Sequence, residues 1–178
     1  MQKQKKIAIV GSGLVGALLG IYLKKRGHIV HVYDRSPDIR KINFTGRSIN
    51  LVLSDRGVKA LRDVGLDQEV LGIGIPVEKR AIHTGLDTVN EQFYGKDGEV
   101  IYSLSRGLLN KKMVDLAEKA GVEFFFEEKV WDVDLTTATI SIGDSERGEW
   151  TTHDYDLTFG ADGAFSRIPT QNATPKYV

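Results

Sequence analysis

The feature that most constrains this chain is Gly11-Ser-Gly-Leu-Val-Gly16. It lies between the apolar run Ile7–Val10 and a stretch in which Leu14, Ala17, Leu18, Ile21 and Tyr22 recur at helical spacing. A short run that is apolar at every position reads as a strand buried on both faces of a parallel sheet. The three glycines then have separate tasks. Gly11 permits a tight turn, Gly13 lets the backbone approach a pyrophosphate, and Gly16 lets helix and strand pack closely. The helix is expected to stop at Gly27. A second strand, Ile29–Tyr33, ends at Asp34, 23 positions after Gly11. An acid there can accept a hydrogen bond from a ribose hydroxyl, and the helix N-terminus offers N–H groups and a positive dipole end to phosphates. This β-α-β unit implies dinucleotide binding. The motif alone leaves FAD and NAD both open.

Downstream, Ser48–Leu53 has a strand-like pattern, and 55–64 reads as a helix capped by Ser54 or Asp55 and stopped by Gly65. Residues 79–105 read as three short strands with turns at Gly85 and Gly95–Gly98. Leu108–Ala120 predicts an amphipathic helix with Leu109, Met113, Leu116 and Ala117 on one face. Val122–Phe126, Val130–Leu135 and Thr137–Ile142 read as strands, the last two as an antiparallel excursion. Asp156–Phe159 is expected to be a last buried core strand that delivers Asp162 and Gly163 to the nucleotide side of the sheet. The late return to a core strand predicts a discontinuous domain.

Composition excludes several classes. Lys+Arg and Asp+Glu are both 24, so no excess charge points to a nucleic-acid partner. The basic run Lys3–Lys6 reads as a solvated end. The chain has no cysteine, which removes disulfides and thiolate chemistry and fits a reducing cytoplasm. No apolar stretch approaches the roughly 20 residues of a membrane span. His28, His31, His83 and His153 lack metal-ligand spacing, so no metal site is expected. No nucleophile elbow is present.

A series of segments then carries a family resemblance. Gly11-Ser-Gly-Leu-Val-Gly16 is followed by Gly46-Arg-Ser-Ile-Asn-Leu-Val-Leu-Ser54, Arg56-Gly57, Ala60-Leu61, Val64-Gly-Leu66 and Gly74-Ile-Pro76. Then come Arg80-Ala-Ile-His83, Tyr94-Gly95, Ser103-Leu-Ser-Arg106, Leu109-Asn110 and Gly160-Ala-Asp-Gly-Ala164. In this order and spacing, over residues 5 to about 168, they resemble the FAD-dependent aromatic hydroxylases. The Arg-Ser-Ile-Asn-Leu and Ser-x-Ser-Arg segments are similar to the branch that hydroxylates L-kynurenine at ring C3. The resemblance implies an α/β fold: a Rossmann-like FAD-binding domain with part of an inserted substrate-domain sheet. The expected segments are 1–75 for the first part of the FAD-binding core, 76–105 for partial substrate-domain strands, and 106–168 for the return to the core.

The same resemblance implies site roles. Gly11, Gly13, Gly16 and Asp34, with Arg35 beside them, would hold the ADP half of FAD. Val15, Val52, Arg106 and Val130 would line the flavin. Arg80 would pair with the substrate carboxylate, Tyr94 would contact the substrate, and Asp162-Gly163 would serve both FAD and NADPH. The implied reaction consumes NADPH and O2 at the flavin and needs no side-chain nucleophile. A cytoplasmic protein of bacterial type is expected. Another flavin aromatic hydroxylase, or an FAD-binding module without turnover, stays open.

The chain departs from the family pattern at its end. Asp162, Gly163 and Ser166 match the Asp-Gly-x-x-Ser-x-x-Arg motif, but Pro169 stands at the Arg position. Residues 169–178 show no resemblance to the family. A one-base shift of reading frame near codon 169 would restore an Arg there, so an atypical, frameshifted tail on a truncated chain is expected. Weak FAD retention and no turnover follow as expectations for the chain as written.

Overall fold

The computed structural model describes residues 3–42, 49–85, 88–96, 98–144 and 149–163. Arg47, Ser48, Ser166, Pro169 and the 169–178 tail, all singled out in the sequence, lie outside the described residues. The first elements are β1 (Lys6–Val10), α1 (Leu14–Lys25), β2 (Ile29–Asp34), β3 (Asn50–Leu53), α2 (Asp55–Arg62) and α3 (Asp67–Leu71). There follow β4 (Ile75–Val77), β5 (Lys79–His83), β6 (Val89–Phe93), β7 (Ile101–Ser105) and α4 (Arg106–Lys119). The last are β8 (Glu123–Phe126), β9 (Val130–Asp134), β10 (Thr139–Asp144), β11 (Glu149–His153) and β12 (Leu157–Gly160). Two compact units result: Met1–Asn43 with Met113–Val178, and Phe44–Lys112.

The first unit is built on a sheet in the order β12-β1-β2-β8, every pairing parallel. β1 has neighbours on both sides, and Ile7, Ala8 and Ile9 are at most 1% exposed, as its unbroken apolar run requires. α1 buries Gly16, Ala17, Gly20 and Ile21. The expected stripe of larger side chains is thus displaced: Leu14, Leu18 and Tyr22 are only half-buried. The reason is close approach, since a Cβ on Gly20 would stand 3.3 Å from the Val122 methyls and 3.8 Å from Ile9. β9, β10 and β11 form the expected antiparallel excursion, with β11 as an unforeseen third strand. Their Val133, Ile140 and Ile142 pack with Ala8, Tyr33 and Tyr155 in one cluster.

Three polar groups meet at that cluster and partner one another. The Tyr155 hydroxyl lies 2.7 Å from the Tyr33 hydroxyl and 2.8 Å from His31 Nδ1. Burial disfavours the charged form of each, pushing the Tyr155 hydroxyl up and the His31 imidazole down. Arg40 pins the segment after β2. It meets Asp38 at 2.7 Å and Asp115 at 3.1 Å, and Glu118 of α4 as well.

One sequence expectation is corrected here. The strand at 156–159 joins the core sheet as expected, with β12 parallel to β1, but it is not buried. β12 pairs only with β1 among the described residues, Leu157 is 38% exposed, and no residue of the strand is fully buried. An edge strand has one flank open to water, so its residues cannot bury fully.

The second unit holds a sheet ordered β3-β7-β4 and a separate hairpin, β5-β6. β4 and α3 were not foreseen. Pro76 sits in β4, which is an edge strand, where a missing N–H is tolerated. Ser54 occupies the N-cap position of α2 but makes no side-chain capping bond.

The cluster predicts a contrast within one excursion. Ile140→Ala, at a fully buried position, should lower stability to urea by about 2–5 kcal/mol. Leu135→Ala, at a site 66% exposed, should change it by less than about 0.5 kcal/mol. Equal effects would show that the cluster is not packed as described.

Candidate functional site

The glycine turn between β1 and α1 is shaped by backbone contacts on two sides. Gly11 has φ +110, and its N–H donates to the Tyr33 carbonyl at 2.7 Å. A Cβ at Gly11 would fall 2.5 Å from the Ala161 carbonyl oxygen and 2.7 Å from the Asp162 nitrogen. A Cβ at Gly16 would fall 1.9 Å from the Gly11 carbonyl oxygen. Neither position has room for a side chain. Gly13 differs, because nothing lies within 4 Å of the place where its Cβ would be. Two glycines therefore close the turn against protein, and the middle one leaves an open approach.

That open approach faces the start of α1. Gly13 is the helix N-cap, with no side-chain capping bond and no acid in the first turn. Unsatisfied N–H groups and the positive dipole end are left to an anion. The chain turns away from the sheet in the same place at β12, where the Ala161 N–H donates to the Val10 carbonyl at 2.7 Å. Gly11 and Ala161, 150 positions apart in sequence, thus meet backbone to backbone. Asp162 and Gly163 follow, both exposed, with Gly163 at φ +85.

Asp34 ends β2 and is half-buried. Its Oδ2 accepts both the Ser12 N–H and the Ser12 hydroxyl, each at 2.7 Å. Its Oδ1 accepts the Ser36 N–H at 2.8 Å. Burial pushes the carboxyl up, but the hydrogen bonds from Ser12 and Ser36 together outweigh it and hold it below the usual carboxylate range. Sequence reasoning passed over Ser12. It sits at a variable position of the glycine motif, and nothing local signals that its hydroxyl turns toward β2. Arg35 is exposed beside Asp34. Val15, on the first turn of α1, is 68% exposed. Val130 opens β9 and is half-buried against the Tyr33–Tyr155 cluster.

The remaining candidates belong to the second unit. Val52 on β3 is 62% exposed, and Arg106, the first residue of α4, is exposed with its N–H on the Ile49 carbonyl at 3.0 Å. Arg80 and Tyr94 share one hairpin. Arg80 faces Gln92 across the β5–β6 ladder and donates from Nε and Nη2 to the Gln92 Oε1 at 2.9 and 2.5 Å. The Tyr94 N–H continues the ladder to the Glu78 carbonyl at 2.9 Å. With one edge of its guanidinium so held, Arg80 keeps N–H donors free for a carboxylate. Among the described residues, no group of three or more His, Asp or Glu could hold a metal.

A parallel sheet, a closed glycine turn with one open approach, an uncapped helix N-terminus and an ionised acid after β2 define an α/β dinucleotide-binding protein. The comparisons with known proteins agree and narrow the class: the chain belongs to the FAD-binding domain family, which matches residues 4–175. It is 67% identical over 168 residues to the kynurenine 3-monooxygenase of Flavobacterium johnsoniae, covering 94% of this chain and 37% of that one. It is 41% identical to the same enzyme of Myxococcus xanthus, covering 93% of this chain and 36% of the relative. The chain therefore spans little more than a third of the length of these curated relatives. The fold is similar to that of 2-methyl-3-hydroxypyridine-5-carboxylic acid oxygenase, with a TM-score of 0.76 at 20% identity over 93% of this chain and 41% of that one. It is also similar to the flavin-dependent monooxygenase PieE solved with FAD and substrate, with a TM-score of 0.75 at 20% identity over 96% of this chain and 32% of that one.

Two outcomes should follow from this geometry. Gly11→Ala places a methyl against the Ala161–Asp162 backbone, so it should lower both thermal stability and FAD affinity, read by melting and flavin fluorescence. Asp34 contributes stability that is present above the ordinary carboxylate pKa and is lost as pH falls through its depressed folded value. The stability difference between the parent protein and Asp34→Asn should hold steady above about pH 5 and shrink below about pH 4. A difference that does not change with pH would show that the Asp34 charge is not what its hydrogen bonds hold.

Proposed function

We propose that this chain forms the adenosine-binding end of a flavin-dependent monooxygenase that hydroxylates L-kynurenine at ring C3. The observation that carries the reading is the 67% identity to a kynurenine 3-monooxygenase over nearly the whole of this chain, which includes every described group of the glycine turn. The residues fit the ADP half of FAD: open backbone at Gly13 for the pyrophosphate, the α1 N-terminus for its charge, and Asp34 for the ribose. Bound FAD supplies the redox chemistry, taking electrons from NADPH and activating O2. The protein's own work is binding, orientation and exclusion of water. Asp34 and Arg35 hold the adenosine, Asp162-Gly163 serves the pyrophosphate side and NADPH, and Val15 and Val130 are offered to the flavin. In the second unit, Val52 and Arg106 take flavin-contacting roles, and Arg80 with Tyr94 takes the amino-acid end of kynurenine.

Arg80 is suited to its role by charge and planarity, since a guanidinium pairs with a carboxylate through two parallel hydrogen bonds. The segments 1–75, 76–105 and 106–168 correspond, in this proposal, to the first part of the FAD-binding core, a substrate-covering insertion and the return to the core. Among the described residues no helix is long and apolar enough to cross a membrane. A cytoplasmic setting belongs to the proposal, supported by a sequence without cysteine.

The test is a chimera that joins residues 1–168 to the remainder of the Flavobacterium johnsoniae relative. It should bind FAD, oxidise NADPH faster when L-kynurenine is added, and release 3-hydroxykynurenine. Arg80→Ala in the chimera should raise the KM for kynurenine by tenfold or more, as expected for a charge-assisted pair worth about 1.5–3 kcal/mol. Flavin loading without kynurenine-stimulated oxidation would favour an FAD-binding module and sink the hydroxylase reading. The 178-residue chain by itself should hold FAD weakly and show no turnover.

A further inference from the structure

Tyr33, Tyr155 and His31 form a row of three polar groups joined by two hydrogen bonds. Tyr33 Oη lies 2.7 Å from Tyr155 Oη, which lies 2.8 Å from His31 Nδ1. Both tyrosines are buried, so water is a poor substitute for a lost partner. Among the described residues, the Tyr33 hydroxyl has no hydrogen-bond partner except Tyr155.

Counting protons fixes the direction of the row. Two bonds need two donors, and the two hydroxyls supply both when His31 is neutral with its proton on Nε2. Tyr33 then donates to Tyr155, and Tyr155 donates to Nδ1. The Nε2–H is left beside Glu123, whose Oε2 is 3.8 Å away. A proton on Nδ1 makes three donors for two bonds. Nδ1 would then donate to Tyr155 and Tyr155 to Tyr33, and the Tyr33 proton would have no acceptor. Tyr33 cannot shed that proton, because burial, Glu128 and Glu123 all disfavour its ionised form. The surroundings of His31 favour the neutral ring as well. Burial opposes its charge, and so do Lys6 of β1, Lys24 of α1 and His153 of β11, with Glu123 of β8 acting the other way.

Tyr155 stands where a reversal would be felt, between β11 and β12. The next N–H, that of Asp156, donates to the Lys6 carbonyl at 2.8 Å and begins the pairing with β1. At the far end of β12, Ala161 closes the turn at Gly11. We infer that the row is an acid-sensitive latch: a proton on His31 reverses both hydrogen bonds, strands the Tyr33 proton and loosens Tyr155, and with it β12 and its closure of the glycine turn. The latch does not depend on which dinucleotide the turn takes. Since the fold favours neutral His31, its contribution is fully present above the ordinary imidazole pKa of about 6.5 and is lost as pH falls below it.

The test uses the 178-residue chain. NMR of the His31 ring at neutral pH should show the Nε2–H tautomer, and an Nδ1–H tautomer would overturn the inference. Protection of the Asp156 and Ala161 amides, corrected for the pH dependence of exchange itself, should fall about fivefold or more between about pH 7 and pH 5. His31→Asn keeps an acceptor near the place of Nδ1 but does not titrate, so it should abolish the fall, whereas His153→Gln should keep it. A fall that persists in His31→Asn would refute the latch. Should His31→Asn fail to fold, Tyr155→Phe gives a separate reading. The neutral ring loses its donor there, so the His31 titration midpoint should move up toward the ordinary value. An unchanged midpoint would mean that burial alone sets His31, and the directional row would be wrong. Unprotected Asp156 and Ala161 amides at about pH 7 would overturn the packing on which the latch depends.

Discussion

At Gly11 the backbone of the first turn lies directly against the backbone of Ala161 and Asp162, with no space for a methyl between them. This contact joins the two ends of the described chain. It exists because β12 pairs in parallel with β1, in register from Ile7 with Leu157 to Val10 with Gly160. Parallel neighbours need a long crossover, and here everything described between Val10 and Leu157 lies within it. The pairing brings the Asp-Gly turn beside the glycine turn, closing it at Gly11 and leaving its open side at Gly13, the N-cap of α1.

Electrostatics then decides what the opening can accept. An isolated half-buried carboxylate would be pushed toward its neutral form. Asp34 instead stays ionised because backbone and hydroxyl donors reach both its oxygens, and their sum exceeds the cost of burial. A positive helix end and a fixed negative group thus lie on either side of one turn. That arrangement suits a ligand with an anionic middle and a hydroxylated end, which the ADP half of a dinucleotide provides. Behind the turn, the Tyr33, Tyr155 and His31 contacts fasten the antiparallel excursion to the sheet without leaving a buried donor unpaired.

Much of the first unit was legible because its signals are local. The β1 run, the helical spacing of α1 and the acid after β2 fall within one stretch of sequence. What escaped notice lacked such a signal. β11 is exposed at four of its five positions and shows no apolar alternation. α3 buries only Val70, and Pro76 argues against a strand at β4 until its edge position is known. β12 looked buried because its sequence is apolar, but composition does not say which strand lies at an edge. In the second unit, Arg80 and Tyr94 were candidates only through family resemblance. Their shared hairpin shows which neighbour holds the guanidinium.

The sequence by itself determined that a dinucleotide turn would form, and which acid would sit at its end. The spacing of three glycines and an acid around a strand and helix is a matter of backbone geometry over a short span. Only the tertiary structure decided that Ala161 would close that turn and that the Ser12 hydroxyl would face Asp34. It also decided that α1 would bury its glycines rather than its leucines. These depend on which atoms come within contact distance after strands far apart in sequence have paired, and no local pattern of residues encodes that distance.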